Sequence, residues 1–484
     1  MKKFLKKITN KWDSISLVVL LVDVLVTIFF GYSLIKLNVL PIHYILIIIA
    51  VLVLLFTLSA VFIKKKKKKG LKIFGYVLSV LVLLITGIGS YYLNVATGFL
   101  NKAFKEGKDT YTNTFQVLVK EDANYNSIDD LKDSQIGYYN LTPNIDAAIS
   151  ELSKKITYNS VLYDDIINNF NDLDNGKING VLIEANIYDS LKESLDRFKN
   201  NKYKVLYSYE MTFEQEVSKK EVSGNGFNIY IGGPDFTGTN YDFNMIATVN
   251  KDTHKILLTS TPRDYYVTVA GKGTKDILGY AGVWGINTSL ATVENIYDID
   301  INYFIKINTG SLVGLVDTIG GVEFCSNKAF TTTHALVQGT YDDSKGPKLN
   351  VVNGCKNYSG IEILTIARER KAYPDGDRQR QKNCQDIMIS IFKKIASLNS
   401  LANLNKILDS VSELYSTNIP QETVTDMAKD IVSGTNWTFE QQSVTGSDSR
   451  GRVHLGTVED YVMQPNKDSV DRATLKIKQV MSES

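Results

Sequence analysis

The chain has 484 residues, of which 44% are hydrophobic, with 54 basic and 52 acidic side chains and three cysteines. Its length exceeds that of one ordinary domain, and its composition excludes a disordered chain, a disulfide-dense miniprotein and a uniformly basic nucleic-acid binder. The formal net charge of +2 conceals an asymmetry, because residues 1–104 carry 14 lysines against two aspartates, whereas the remainder has a net charge of −10.

Three apolar segments near the N-terminus predict transmembrane helices. Ile15–Ile35 contains a single acidic residue, Asp23, while Ile42–Ile63 and Ile73–Leu93 contain no charged residue. Each segment is close to the roughly 20 residues needed to cross a hydrocarbon core. Buried core helices are rarely apolar all round for this length, and a signal peptide has one shorter apolar run. We therefore expect residues 1–104 to form a membrane anchor, in which Asp23 extends toward the cytoplasmic interface and has no assigned role.

Two lysine clusters predict the orientation of this anchor. Lys64–Lys69 separates the second span from the third, and five lysines precede the first span, at Lys2, Lys3, Lys6, Lys7 and Lys11. The positive-inside rule places both clusters in the cytoplasm, so an odd number of spans exports everything after about residue 98. The juxtamembrane position of the lysines indicates contact with anionic membrane lipid rather than with nucleic acid.

The first exported segment, residues 105–216, alternates strand and helix patterns. Such interleaving predicts a small α/β accessory domain. The strand candidates are Thr114–Val119, Gln135–Tyr139, Val181–Ala185 and Lys204–Tyr209, and the helix candidates are Asn144–Lys155, Leu162–Leu173 and Ile187–Lys199. The segment has no metal ligands at useful spacing and no glycine-rich phosphate loop, so we assign it no chemistry.

Residues 217–484 follow a different pattern, with successive strands first and helices later. This order predicts an α-β-α layered domain with a mixed sheet, so that the exported part of the chain belongs to the α/β class. The predicted strands are Phe227–Ile231, Asn244–Asn250, Lys255–Thr261 and Tyr303–Ile307, and the predicted helices are Leu290–Tyr297, Ser311–Thr318, Ile361–Arg370 and a long helix that ends near Leu398.

Two aspartates flank one short connection between strands of this domain. Asp235 follows a strand and the turn Gly232–Pro234, and Asp242 begins the next strand. Carboxylates at opposite ends of a short connection can converge on a divalent cation, and their hard oxygen atoms suit Mg²⁺ or Mn²⁺. The alternative is that both residues only cap turns.

Arginine side chains gather near the predicted helix boundaries. Arg263 ends a strand, Arg368 and Arg370 lie near the end of one helix, and Arg378 and Arg380 open the next. Guanidinium groups around a loop, with a helix N-terminus nearby, form an anion site that can bind a phosphate or pyrophosphate in a bidentate manner. Surface ion pairing with neighbouring acidic residues is the alternative.

Ordered motifs over about residues 225–400 resemble the LytR-CpsA-Psr family. They are Tyr230–Asp235, Asp242–Asn250, Lys255–Asp264, Asn302–Asn308, Val316–Glu323, Ala367–Arg370 and Gly376–Arg380. The three spans and the intervening α/β segment further resemble the capsule-associated, CpsA-like members. The resemblance implies an extracytoplasmic phosphotransferase in the cell membrane of a Gram-positive-type bacterium. Such enzymes move a glycopolymer, of the capsule or teichoic-acid type, from undecaprenyl pyrophosphate to peptidoglycan.

The resemblance also implies roles for particular residues. Asp235 and Asp242 would hold Mg²⁺, and Asp264 or Asp377 would orient or deprotonate the acceptor hydroxyl group. For each aspartate, the alternative is that it only holds a neighbouring arginine in place. The pyrophosphate would be bound by four arginines, Arg263, Arg368, Arg370 and Arg380, of which Arg263 would also belong to the catalytic set.

The sequence departs from the family pattern at four positions. Tyr241 stands where an arginine is often found, Ile277 and Tyr280 replace a lysine and a histidine, and Cys384 replaces a glutamine. The pyrophosphate site is therefore expected to be less cationic than usual. A non-catalytic binder of lipid-linked polymer remains an alternative to the enzyme. A membrane-bound transcriptional regulator is a second alternative, but only short lysine-rich segments would face the cytoplasm, and no nucleic-acid partner is expected.

The cysteines predict one disulfide bond. Cys325 and Cys355 bracket a long polar excursion, and the exported location permits oxidation. Two unpaired thiols are the alternative, since the sequence carries no distance. Cys384 is expected to remain free.

Overall fold

A computed structural model describes residues 14–65, 68–103, 108–199, 202–217, 219–222, 224, 226–234, 240–336, 346–397, 415–454, 456 and 458–483. The described residues divide into two compact units. The first contains residues 14–103, 396–397 and 420–436, and the second contains the remainder.

The first unit contains three long N-terminal helices and one short helix. Its helices are α1 (Ser14–Leu37), α2 (Ile42–Ile63), α3 (Lys69–Ala103) and, much later in the chain, α12 (Gln421–Val432). The first three are long and apolar enough to cross a membrane, over Ile15–Leu37, Ile42–Ile63 and Lys69–Gly98. Their exposed faces consist mainly of isoleucine, leucine, valine and aromatic side chains, as expected for surfaces in contact with lipid.

Polar side chains connect α1 to α3 within this apolar bundle. Asp23 is only 1% exposed and accepts a hydrogen bond from Ser79, so it does not extend to the membrane interface as the sequence suggested. The hydroxyl groups of Ser16 and Tyr76 lie 2.7 Å apart, and Asn94 on α3 donates to the hydroxyl oxygen of Ser33 on α1 at 3.0 Å. Because hydrocarbon offers no hydrogen-bond partners, these pairs satisfy polar groups and fix the helix register.

The second unit begins with a five-stranded sheet in the order β3-β2-β4-β1-β5. Strand β1 is antiparallel to β4 and β5, whereas β2 is parallel to β3 and β4. The strands are β1 (Lys108–Lys120), β2 (Gln135–Tyr139), β3 (Asn159–Tyr163), β4 (Gly180–Glu184) and β5 (Tyr203–Glu216). The helices are α4 (Ile145–Ser153), α5 (Ile166–Asp174), α6 (Ala185–Ser194) and α7 (Asp196–Lys199).

The helix predicted over Leu162–Leu173 begins four residues later than expected. In the structure Leu162 belongs to β3, and the helix begins at Ile166. Asp165 sets this boundary, because its side chain accepts a hydrogen bond from the backbone N–H of Asn168 and caps the helix.

The second sheet is a mixed, six-stranded sheet in the order β16-β11-β6-β7-β8-β17. Strands β6, β7 and β8 are antiparallel neighbours, while β11 is parallel to β6 and β17 is parallel to β8. Residues 244–250 of β7 are all buried, so both faces of the sheet are covered, as the predicted α-β-α layering requires. The strands are β6 (Gly226–Pro234), β7 (Tyr241–Asn250), β8 (Lys255–Ser260), β11 (Tyr303–Ile307), β16 (Tyr415–Thr417) and β17 (Thr438–Ser443).

Helices and short ladders surround this sheet. The helices of the second unit that follow α7 are α8 (Ile286–Tyr297), α9 (Thr309–Thr318), α10 (Gly360–Arg368), α11 (Asp377–Ser397) and α13 (Lys467–Ser482). The two-stranded ladders pair β9 (Tyr266–Thr268) with β10 (Lys275–Ile277), β12 (Val322–Ser326) with β15 (Gly354–Tyr358), β13 (Phe330–Ala335) with β14 (Lys348–Val351), and β18 (Gly446–Val453) with β19 (Val458–Pro465). Cys325 and Cys355 are cross-strand partners in the β12–β15 ladder and form a disulfide bond, whereas Cys384 is free and buried.

The two sheets are joined by a buried ion pair. Lys306 of β11 lies 2.5 Å from the carboxylate of Asp109 in β1, which is 1% exposed, and also donates to the backbone carbonyl of Thr110 at 2.9 Å. Gly285, with a φ of +88°, lies so close to Gln215 of β5 that a Cβ atom would come within 2.1 Å of its amide nitrogen. The segment 105–216 is therefore packed directly against the residues of the second sheet. The domain boundary at residue 216 stays a prediction.

An apolar cluster also spans the two sheets. Tyr280, Val283 and Val458 from the later part of the chain pack in one buried cluster with Ile187 and Leu191 of α6. Burial of these apolar side chains packs α6 against residues 280–283 and the first residue of β19.

Glu184 predicts a pH dependence of stability. This buried carboxylate ends β4 and accepts hydrogen bonds from the backbone N–H groups of Asn186 at 2.9 Å and Ile187 at 3.2 Å. Burial raises its pKa to about 7, from an ordinary value of 4.5, despite the opposing effect of those hydrogen bonds. The native state thus binds this proton more tightly, so the contribution of Glu184 to stability is fully present below pH 4.5 and is lost as the pH rises through 7.

We expect Glu184→Gln to remove this decline, which is on the order of 3 kcal/mol at ~1.4 kcal/mol per pKa unit. Thermal unfolding of the full chain in detergent, measured from pH 5 to 8, checks this. Glu210→Gln, at an exposed position on strand β5 of the same sheet, is the control and should retain the wild-type decline. An unchanged decline in Glu184→Gln would assign the pH dependence to other groups.

Candidate active site

A cavity of about 620 Å³ lies in the second unit and collects most of the predicted site residues. The strands that line it contribute the end of β6, the start of β7, the residues after β8 and the hairpin β18–β19. The helices that line it are α6, the start of α9, the end of α10 and the first turns of α11. Arg263, Arg368, Arg370 and Arg380 all line this one cavity, together with Asp242 and Asp264.

Asp242 and Arg263 form an ion pair at one end of the sheet. Strands β7 and β8 are antiparallel neighbours, so the start of β7, which carries Asp242, lies beside the end of β8, which Arg263 follows. A terminal nitrogen of Arg263 donates to Asp242 Oδ1, and its Nε donates to Asp264 Oδ1 at 3.2 Å. Burial acts to raise the pKa of Asp242, but the charges of Arg263, Arg380 and Arg370 lower it to about 2. Asp242 is therefore ionised at physiological pH.

Asp377 holds two further arginines in place. It accepts a hydrogen bond from Arg380 Nε at 2.7 Å and from Gln381 Nε2 at 2.8 Å, and it forms an ion pair with Arg370 Nε at 3.2 Å. Gly376, with a φ of +51°, provides the turn that places Asp377 at the start of α11. Burial acts to raise the pKa of Asp377, but Arg380 and Arg370 lower it, so it stays ionised.

The two candidate general bases, Asp264 and Asp377, differ in their position relative to the cavity. Asp377 is absent from the described residues that line the cavity, because it lies behind the arginines that it holds. Asp264 lines the cavity with its side chain 14% exposed. Burial raises the pKa of Asp264, and the charge of Arg263 only partly opposes that effect. Of the two candidates, Asp264 is thus the carboxylate placed where a ligand in the cavity could reach it, and the contacts of Asp377 match the alternative that it only holds neighbouring arginines in place.

Asp242 is the only described member of the predicted metal pair. Asp235 lies outside the described residues. Asp242 contacts Arg263 through Oδ1 only, so Oδ2 is a second oxygen that can face a cation. Among the other arginines, Arg378 does not line the cavity but donates to the backbone carbonyl of Gly446 at 3.3 Å.

The departures from the family pattern have distinct places in the structure. Tyr241 is buried and stacks on Tyr230, with ring centroids 6.4 Å apart. Ile277 and Tyr280 both line the cavity, and neither adds a positive charge to it. Cys384 also lines the cavity, and burial raises the pKa of its thiol to about 11, so it stays protonated.

The apolar walls of the cavity were not predicted from the sequence. They are formed by side chains of α9, α10 and α11, namely Leu312, Leu364, Ala367, Ile387 and Met388. The sequence does contain a signal for one of these walls. Arg380, Cys384 and Ile387 are spaced i, i+4 and i+7, so they lie on one face of α11. That face carries a cation at one end and apolar groups at the other, which suits a ligand with an anionic head and a hydrocarbon tail.

A polar wall of the cavity was not predicted from the sequence either. It is formed by three residues of α6, namely Asn186, Asp189 and Ser190. This helix follows β4 of the five-stranded sheet, in the segment to which the sequence assigned no chemistry. No local signal marks them, because amide, carboxylate and hydroxyl side chains are ordinary on exposed helix faces.

We predict that Arg370→Lys weakens binding of inorganic pyrophosphate about tenfold, although the positive charge is retained. Lysine cannot reproduce the planar, bidentate contact of a guanidinium group, and one charge-assisted hydrogen bond contributes ~1.5–3 kcal/mol. Isothermal titration calorimetry of the full chain in detergent measures the effect. Arg378→Lys is the matched control, because Arg378 is an arginine that does not line the cavity. Equal affinities for wild type and Arg370→Lys would exclude Arg370 from the anion site.

Comparison with known proteins supplies an independent finding. The teichoic acid transferase TagU of Bacillus anthracis, named a polyisoprenyl-teichoic acid–peptidoglycan teichoic acid transferase, is 30% identical over 263 residues, which cover 52% of this chain and 78% of that protein. The Enterococcus faecalis protein of the same name is 33% identical over 190 residues, covering 39% and 58%. A crystal structure of Bacillus subtilis TagU is 26% identical, with a TM-score of 0.41, and covers 54% of this chain and 98% of that chain. The model of the LytR_cpsA_psr family matches residues 189–479, and the chain belongs to this family.

Proposed function

We propose that this protein transfers a lipid-linked glycopolymer, of the teichoic-acid or capsule type, from a polyprenyl pyrophosphate to peptidoglycan. The observation that carries this proposal is the cavity in which four arginines adjoin an apolar groove. The names of the relatives from Bacillus anthracis and Enterococcus faecalis support the same reaction class and the same acceptor. Undecaprenyl pyrophosphate is the carrier that we propose for the donor.

The arginines bind the pyrophosphate of the donor. Cleavage of a pyrophosphate requires stabilisation of negative charge on its bridging and terminal oxygen atoms, which fixed guanidinium groups provide without reorganisation. Arg380 is buried and held by Asp377, and Arg263 is held by Asp242 and Asp264, so both groups are oriented before the substrate arrives. The apolar walls from α9, α10 and α11 receive the hydrocarbon chain next to the phosphates.

Asp264 assists the attack. A hydroxyl group of peptidoglycan attacks the phosphorus atom that carries the glycan, in line with the bridging oxygen, and Asp264 accepts its proton. The bond between this phosphorus and the bridging oxygen breaks, and the polyprenyl phosphate leaves with that oxygen. The product is a phosphodiester between peptidoglycan and glycan, and no further reactant is needed.

Mg²⁺ is the cofactor that we propose, with Mn²⁺ as a substitute. Asp242 fits this role, because it is ionised, lines the cavity and presents a hard oxygen atom. Mg²⁺ is commonly held by one or two carboxylates together with substrate phosphates. When bound, the ion would neutralise charge on the pyrophosphate oxygens.

We further propose that transfer takes place on the outer face of the membrane of a Gram-positive-type bacterium, with the N-terminus in the cytoplasm. The lysine clusters and the three candidate spans support this topology. The disulfide bond between Cys325 and Cys355 also supports it, because such bonds persist in oxidising compartments.

Replacement of Arg368 or Asp264 tests the reaction. We predict that Arg368→Ala and Asp264→Asn each lower turnover by ~10²–10³, which is the scale seen when one preorganised donor or one general base is lost. The assay follows release of polyprenyl phosphate by the full chain in detergent, with a lipid-pyrophosphate glycan and peptidoglycan. Arg378→Ala is the control and should retain wild-type turnover. Donor binding without turnover in the wild type would instead favour a non-catalytic binder of lipid-linked polymer.

Metal removal tests the role of Asp242. We expect EDTA to abolish transfer and added Mg²⁺ to restore it. We also expect Asp242→Asn to raise the Mg²⁺ concentration that gives the half-maximal rate by about tenfold, because the amide keeps the shape of the carboxylate but loses its charge. The measurement is initial rate against free Mg²⁺. Full activity after exhaustive chelation would remove the metal from the proposal.

A further inference from the structure

Helix α6 supplies one wall of the cavity from the N-terminal edge of the family match. The match begins at residue 189, whereas α6 begins at Ala185 and belongs to the preceding five-stranded sheet. Asn186, Asp189 and Ser190 are spaced i, i+3 and i+4, so they lie on one face of the helix, and all three line the cavity.

This face of α6 is held rigidly. Ile187 and Leu191 are fully buried on the opposite side of the helix, in the cluster that contains Tyr280 and Val458. Glu184 caps the start of the helix through the backbone N–H groups of residues 186 and 187. Polar groups on a rigid helix discriminate well between ligands, because they cannot rearrange to bind a ligand whose polar groups are placed differently.

The chemistry of the wall suits sugar hydroxyl groups rather than phosphate. An aspartate carboxylate repels a phosphate but accepts hydrogen bonds from hydroxyl groups. Ser190 donates to the backbone carbonyl of Asn186 at 2.8 Å, which leaves its oxygen lone pairs available to a ligand. Asp189 lies 2.6 Å from Lys192, and because both side chains are more than 40% exposed this pair contributes little and can yield to a ligand.

An aromatic side chain also lines the cavity. Tyr461 of β19 is 44% exposed, and its hydroxyl group donates to Asp448 Oδ1 at 2.9 Å, which fixes the orientation of the ring. Its neighbour Asp460 lines the cavity too. A fixed, exposed ring offers a flat surface to the apolar face of a pyranose, while carboxylates and amides bind the hydroxyl groups at its edge.

We propose that α6 and Tyr461 form a sugar subsite that determines which glycan is processed. This proposal rests on the proposed function, because the subsite shares its cavity with the pyrophosphate-binding arginines. The sugar is either the donor residue attached to the pyrophosphate or the acceptor residue that bears the attacking hydroxyl group. Both are pyranoses with several hydroxyl groups, and the experiment separates them.

The experiment compares two donors on the full chain in detergent: a bare polyprenyl pyrophosphate and one that carries a sugar. We expect Asp189→Ala, Ser190→Ala and Tyr461→Ala to leave the affinity for the bare compound unchanged. If the subsite holds the donor sugar, each variant weakens binding of the sugar-bearing compound about tenfold, as expected for loss of one strong polar or stacking contact. If it holds the acceptor sugar, both donor affinities stay constant and the KM for peptidoglycan fragments rises about tenfold instead.

Two controls separate contact from structural effects. Lys192 lies on the same helix but does not line the cavity, so Lys192→Ala should retain wild-type affinities. Tyr461→Phe keeps the ring while losing the contact to Asp448, so it should retain most of the binding that Tyr461→Ala loses.

Unchanged donor affinities together with an unchanged KM in all three alanine variants would overturn the subsite. Failure of the proposed function has a different signature. A wild-type protein that binds the sugar-bearing donor but releases no polyprenyl phosphate would refute the transfer reaction, while a selective loss of donor-sugar binding in the variants would still support the subsite.

Discussion

The placement of several guanidinium groups in one partly buried cavity is the constraint on which the site depends. Burial and the positive charges of Arg380 and Arg263 lower the pKa of Arg370. The lowered pKa shows that the guanidinium groups repel one another. Asp242 and Asp377 offset that repulsion from positions on β7 and α11. Arg380 joins the two elements, because it donates both to Asp377 and to the backbone carbonyl of Asp242 at 2.9 Å. Removing either carboxylate would leave the buried arginines with fewer negative charges to offset their mutual repulsion.

The large elements could be predicted from the sequence because their patterns are local. Strands β6, β7 and β8 are apolar runs between turn residues, and the arginines stand in ordered motifs at helix boundaries. The polar wall of α6 could not be predicted in this way. Its role arises from the buried cluster that packs Ile187 and Leu191 against Tyr280, a contact between distant parts of the chain. Neither Asp189 nor Ser190 differs locally from an ordinary solvent-exposed helix residue.

The departure at Tyr280 has a physical explanation in the same cluster. Its ring is fully buried and makes edge contacts with Trp284 and His454, at centroid distances of 6.1 and 5.1 Å. A charged side chain at this position would be removed from water without a strong partner, at a cost of several kcal/mol. Burial also lowers the pKa of His454 to about 4, so this neighbour is neutral as well. This packing thus accounts for an uncharged residue at the position where the family resemblance implies a histidine.

The arrangement of the walls constrains the path of the substrate. The hydrocarbon chain requires the apolar surfaces of α9, α10 and α11, and the pyrophosphate requires the arginines at their ends. The glycan is hydrophilic, so it cannot share the apolar groove without losing hydrogen bonds to water. Helix α6 and strand β19 contribute a polar lining with carboxylate, amide, hydroxyl and aromatic groups. Under the proposed function, a substrate held by its lipid and its phosphates would direct its sugar toward polar walls such as α6, which the preceding α/β segment contributes to the site.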